Sequence, residues 1–114
     1  MKIIKKQVQI SELKQMSKKM FGTLIKVVVD IEKGIMVVNA ELHSDEEQLL
    51  LKKGSKQKNL WGINLYPELY GKKDFVEFDS MINLRPSQNN RTRSVDDLKI
   101  QKIIISITNK LVVK

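Results

Sequence analysis

The sequence has no cysteine, one histidine, one tryptophan and two prolines. Without cysteine it can form neither a disulfide nor a thiolate metal site, and a single histidine excludes a two-histidine zinc site within the chain. No metal or cofactor is therefore expected. Aromatic residues make up 5% of the chain, thin for a base-stacking surface, and no RNP, KH or zinc-finger pattern occurs. There is no Gly-rich phosphate loop, no G-x-G-x-x-G and no G-x-S-x-G. No apolar run approaches the roughly 20 residues of a membrane-spanning helix, so no membrane partner is expected. The stretch Met1–Lys6 lacks the apolar core of a secretion signal, which leads to the expectation of a cytoplasmic protein.

What is present is positive charge. The 114 residues carry a net charge of +8, with 18 lysines but only three arginines. The length fits one domain, 1–114, able to bury about two-thirds of its unfolded surface. The charge is uneven: residues 1–20 carry +5, 21–51 carry −4, and Lys52, Lys53, Lys56 and Lys58 add +4. All three arginines, Arg85, Arg91 and Arg93, fall within nine residues. Such an excess favours anionic partners, although a lysine-rich surface also serves solubility alone.

Hydrophobic spacing predicts the elements. A short strand within 1–10 leads to a helix over 12–21, capped by Ser11, burying Leu13, Met16, Met20 and Phe21, and stopped by Gly22. Strands over 23–30 and 35–40 join through Glu32-Lys33-Gly34. Ser44-Asp45-Glu46-Glu47 reads as a capping box opening a helix that Lys52, Lys53 and Gly54 close. Leu60–Tyr66 reads as a strand halted by Pro67, with Trp61 in the core by parity. Residues 74–84 alternate as a long half-buried strand, and Ser94 with Asp97 opens a last amphipathic helix. The expected fold is α+β, in the order β-α-β-β-α-β-β-α. It has an antiparallel sheet of four to five strands with the helices packed on one face.

The segment Asn83–Ser94 is the first candidate for chemistry. Guanidinium forks match phosphate, and a helix N-terminus would add free N–H groups. Arg85, Gln88, Asn89, Asn90, Arg91, Arg93 and Ser94 are the expected anion-binding residues. The composition, rich in Lys, Ile and Asn, suggests A/T-biased coding, under which arginine persists where fork geometry matters. The competing reading pairs Arg85 with Asp79 or Glu77 and assigns the asparagines to turns. A second candidate is acid/base chemistry by Glu41, His43 and Asp79.

Several motifs also resemble a family of small prokaryotic single-domain proteins known only as a domain of unknown function. They are Phe21-Gly22, Asp30–Gly34, Glu41-Leu42-His43, Gly54–Gln57, Leu60–Pro67 and Phe78–Gln88. Similar sequences have Gly where this chain has Asn89, and asparagine tolerates the left-handed turn nearly as well. The resemblance implies a single domain and supplies no activity. The leading expectation is a binding module for a phosphate-bearing ligand, nucleic acid or a phosphorylated small molecule. The alternatives are a small nuclease or phosphohydrolase using Asp79, Glu41 and His43, and a homodimeric or larger assembly protein without a ligand.

Overall fold

The computed structural model describes residues 1–114. Its centre is a five-stranded antiparallel sheet in the order β1-β4-β3-β5-β6, with β1 Lys2–Ile4, β3 Ile25–Asp30, β4 Ile35–Ala40, β5 Leu60–Leu65 and β6 Val76–Glu77. The helices are α1 Ile10–Lys19, α2 His43–Lys52 and α3 Leu98–Leu111. A parallel pair, β2 Val8–Gln9 and β7 Val112–Val113, ties the two chain ends together. No helix is long and apolar enough to cross a membrane.

The α+β class and the antiparallel sheet are as expected, but the layering is different. β3 is buried on both faces, because Val27 and Val29 belong to one core and Val28 to another. Leu13 of α1 joins Ile104, Ile107 and Leu111 of α3 in the larger core, with Trp61, Ile63 and Leu65 of β5. On the opposite face Leu50 of α2 packs with Val28, Val37 and Leu60. The sheet is thus sandwiched, and the helices do not share one face.

Local signals were partly overridden. The α1 helix starts at Ile10 with Gln9 before it, so Ser11 is not its cap, and it ends before Met20 and Phe21, which lie outside the buried core. Gly22 does take the left-handed conformation, at φ +91°. The hairpin turn after β3 forms as read: Asp30 Oδ1 accepts from the Glu32 and Lys33 amides, and Gly34 sits at φ +66°. The final helix begins at Leu98, where the Asp97 carboxylate caps the Lys99 amide at 2.8 Å. Ser94 therefore lies outside it.

The largest departure concerns residues 74–84. Only Val76 and Glu77 pair with β5, opposite Leu65 and Asn64. The chain then leaves the ladder and side chains take over the rest of the β5 edge. The Asn83 carboxamide accepts from the Gly62 amide and donates to the Gly62 carbonyl, both at 2.9 Å. Arg85 Nη2 donates to the Leu60 carbonyl at 2.6 Å. Gly62 permits this approach, since a Cβ there would lie 2.5 Å from that of Ser80. Alternation alone does not distinguish a strand from a segment that satisfies an edge through one amide.

Asn83 is fully buried, so Asn83→Asp, which keeps the shape and removes the donor, should lower stability by about 2–4 kcal/mol. Urea unfolding followed by circular dichroism checks this, and a change below about 0.5 kcal/mol would contradict the edge-closing role.

Candidate functional site

The α2 helix buries His43, Glu46, Glu47 and Leu50, positions i, i+3, i+4 and i+7. Its inward stripe is therefore mostly polar. The expected capping box is not made: the helix begins at His43, two residues earlier, with Leu42 before it and no side chain capping it. Turning the stripe inward carries Glu47 away from the helix N-terminus and leaves Ser44 exposed.

Each inward group meets a different part of the sheet. The His43 Nε2 lies 2.8 Å from the Ile63 carbonyl, which fixes the hydrogen on that nitrogen in the neutral ring. Burial holds the His43 pKa below its ordinary value, against the effect of the Ile63 bond. The charges of Lys26, Asp79 and Arg93 also act on the ring. Glu46 accepts from the Ala40 amide at 3.2 Å and has one oxygen buried without a partner. Burial pushes its pKa up to about 10. A bulge prepares that contact: Lys26 opposes Ala40 while Val27 opposes Val38, and the extra residue, Asn39, sits at φ +72°. Burial also raises Glu47, partly offset by the Arg85 guanidinium and a bond with Gln57.

The three arginines diverge. Arg85 is buried, with its guanidinium 4.1 Å from the centre of the Trp61 ring and its terminal nitrogens on the Gln57 and Leu60 carbonyls. It pairs with neither Asp79 nor Glu77. Arg93 is exposed, and its Nε donates to Asp79 Oδ1 at 2.6 Å. Arg91 is exposed, and its backbone amide donates to Asp96 at 2.9 Å.

Asparagines shape the loop between them. Asn90 is buried, donating to the Asn83, Thr92 and Ser94 carbonyls and accepting from the Asp96 amide. Asn89 takes the left-handed conformation at φ +59°, so the expected turn is kept. Gln88 reaches the Lys58 carbonyl at 3.2 Å, and Ser94 is half-buried. Of the acid/base candidates, His43 and Asp79 lie within electrostatic reach of each other, whereas Glu41 is exposed and makes no side-chain hydrogen bond.

Beside Asp79, the Asn64 Nδ2 donates to Glu77 at 2.8 Å and to the Asp79 carbonyl at 3.4 Å, and Tyr66 donates to Glu77 at 3.0 Å. Lys26, Asp79 and Arg93 thus lie within electrostatic reach of the buried His43, and Asn64, also buried, ties Glu77 to the Asp79 backbone. Sequence reasoning missed Lys26, Glu46 and Glu47 as site residues. The helical spacing of His43, Glu46, Glu47 and Leu50 was the available signal for the two glutamates.

Fold and site define a small α+β protein with charged side chains within electrostatic reach of a buried histidine in the first turn of a helix. Within that class, the chain belongs to the family described as "Protein of unknown function (DUF5674)", which it matches over residues 2–111. No curated protein and no solved structure matches it.

Glu46 ties stability to pH. Its pKa is 4.5 when solvated and about 10 in the fold, so the native state holds the proton more tightly. Its contribution is complete below pH 4.5 and is lost as pH rises toward 10. The slope for one such proton reaches about 1.4 kcal/mol per pH unit. Glu46→Gln should flatten this decline and gain about 1–3 kcal/mol at pH 8; parallel wild-type and variant curves from chemical unfolding would exclude it. Arg85→Lys should destabilise by about 1–3 kcal/mol despite keeping the charge, because one ammonium cannot span two carbonyls and stack on Trp61. A variant with an unchanged melting temperature would contradict that.

Proposed function

We propose that the protein is a cytoplasmic binding module for a phosphate-bearing ligand, nucleic acid or nucleotide, with Arg93 as its principal contact. One observation carries this reading. The Arg93 guanidinium is held through Nε by Asp79, while neither of its terminal nitrogens makes a hydrogen bond within the chain. A fork anchored on one side has lost much of its rotational freedom and still offers donors to a phosphate. Lys26 acts on the same His43 ring as Arg93, which adds a second positive charge at this surface. Arg91 is an exposed third charge on the loop. Arg85, Gln88, Asn89 and Asn90 then serve as the frame that presents Arg93.

A second reading, hydrolysis of a phosphate ester at the same surface, draws on one further observation. Burial keeps His43 neutral near pH 7, with Asp79 and Arg93 both acting on it. His43 would be the base and Arg93 would stabilise phosphate charge. Release of nitrophenol from bis(p-nitrophenyl) phosphate by wild type but not by His43→Gln is the result this requires.

For the binding reading, wild type, Arg93→Ala and Arg93→Lys are titrated with short labelled single-stranded RNA and DNA across a salt series. Arg93→Ala should weaken binding about tenfold and reduce the salt slope by about one. Arg93→Lys should recover the slope but not the full affinity. Equal affinities for wild type and Arg93→Ala, or no binding at low salt, would overturn the proposal.

A further inference from the structure

A cavity of about 310 Å³ opens at the other end of α2, between its last turn, β1 and the β3–β4 hairpin. Its lining divides by chemistry. Leu50, fully buried, and the half-buried Ile3 and Ile35 form an apolar floor. Lys5, Lys33 and Lys53, all exposed, form the rim, and no acidic residue takes part.

None of these three ammonium groups is neutralised by the chain. Its ion pairs are Lys2–Glu12, Lys14–Glu68 and Arg93–Asp79. Lys33 Nζ lies 3.5 Å from the Lys53 carbonyl at the end of α2. A helix C-terminus carries about half a negative charge, which offsets only part of one lysine. Three like charges around one opening repel each other, and an anion seated among them relieves that repulsion.

We propose that this cavity is a binding site for a small organic phosphomonoester, with its apolar body on Ile3, Ile35 and Leu50 and its phosphate among Lys5, Lys33 and Lys53. A phosphate dianion matches three ammonium groups better than a carboxylate monoanion does. The floor distinguishes the ligand from inorganic phosphate, since covering it removes apolar surface from water at about 25 cal/mol per Å². The site shares no residue with the Arg93 surface, so either assignment can fail without the other.

The test is a methyl NMR titration of the full chain, labelled at isoleucine and leucine, with phenyl phosphate, benzoate, phenol and inorganic phosphate as separate probes. Phenyl phosphate should shift the Ile3, Ile35 and Leu50 methyls saturably, and each other probe should bind about tenfold more weakly or worse. The Lys5→Gln/Lys33→Gln/Lys53→Gln variant should lose about tenfold in affinity or more, while Arg93→Ala leaves these shifts unchanged. The lysines are exposed, and an unchanged melting temperature confirms that the triple variant is folded. Phenol or benzoate binding as tightly as phenyl phosphate, shifts confined to other methyls, or an unaffected triple variant would each overturn the assignment.

Discussion

The outer edge of β5 is the constraint on which both the fold and the site rest. β6 covers only two of its residues. The Gly62 amide and carbonyl and the Leu60 carbonyl would otherwise be left without strand partners, and each such buried group costs on the order of 1–3 kcal/mol. Asn83 satisfies the Gly62 pair with one carboxamide, and Arg85 satisfies Leu60. Asn83 also donates to the Arg93 carbonyl at 3.0 Å, and the Ser80 amide donates to the same oxygen. The segment that closes the sheet is thereby the segment that positions Asp79 and Arg93. Edge closure and site geometry are one arrangement.

The second consequence lies beneath α2. A helix over a sheet usually buries an apolar stripe, but this one places a histidine and two glutamates inward before Leu50. Charged burial is costly unless the group is neutralised or paired. His43 and Glu46 respond by favouring their neutral forms, and Glu47 is opposed by Arg85. The same residues in a stability-optimised core would be leucines, so the helix gives up stability for polarity on the face that adjoins Lys26 and Asn64.

Much of the framework was legible in the sequence, and the reasons differ by element. The β-branched run of β3 and the Asp30–Gly34 turn are local signals with little competition, and both formed as read. Trp61 was placed in the core by strand parity, and it is 2% exposed. The Ser44–Glu47 pattern failed because a cap stabilises by about 1 kcal/mol, less than the register that the sheet imposes on the whole helix. Strand 74–84 failed because period-two alternation says nothing about which partner satisfies the backbone, and here Asn83 and Arg85 displaced a strand. The candidate site was half visible for a related reason. Arg93, His43 and Asp79 were named as residues, but the approach of Lys26 to His43 depends on the sheet order, which leaves no mark in a single sequence.

The scarcity of arginine takes on a different meaning in this light. A lysine would supply the same charge at any of the three positions, so their clustering points to places where a planar fork is required. At Arg85 that requirement is internal: two backbone carbonyls and one indole face engage a single guanidinium, an arrangement no ammonium can reproduce. At Arg93 the fork is half engaged, on Asp79, and half turned to solvent. Arg85 places both terminal nitrogens on carbonyls of the fold, while its Nε is buried without a partner. Arg93 makes one exposed ion pair through Nε and leaves its terminal nitrogens in solvent. Charge alone does not separate the two, because both residues add one to the same net +8. The engaged nitrogens do: Arg85 commits both terminal nitrogens to backbone carbonyls, whereas Arg93 commits only its Nε, to Asp79.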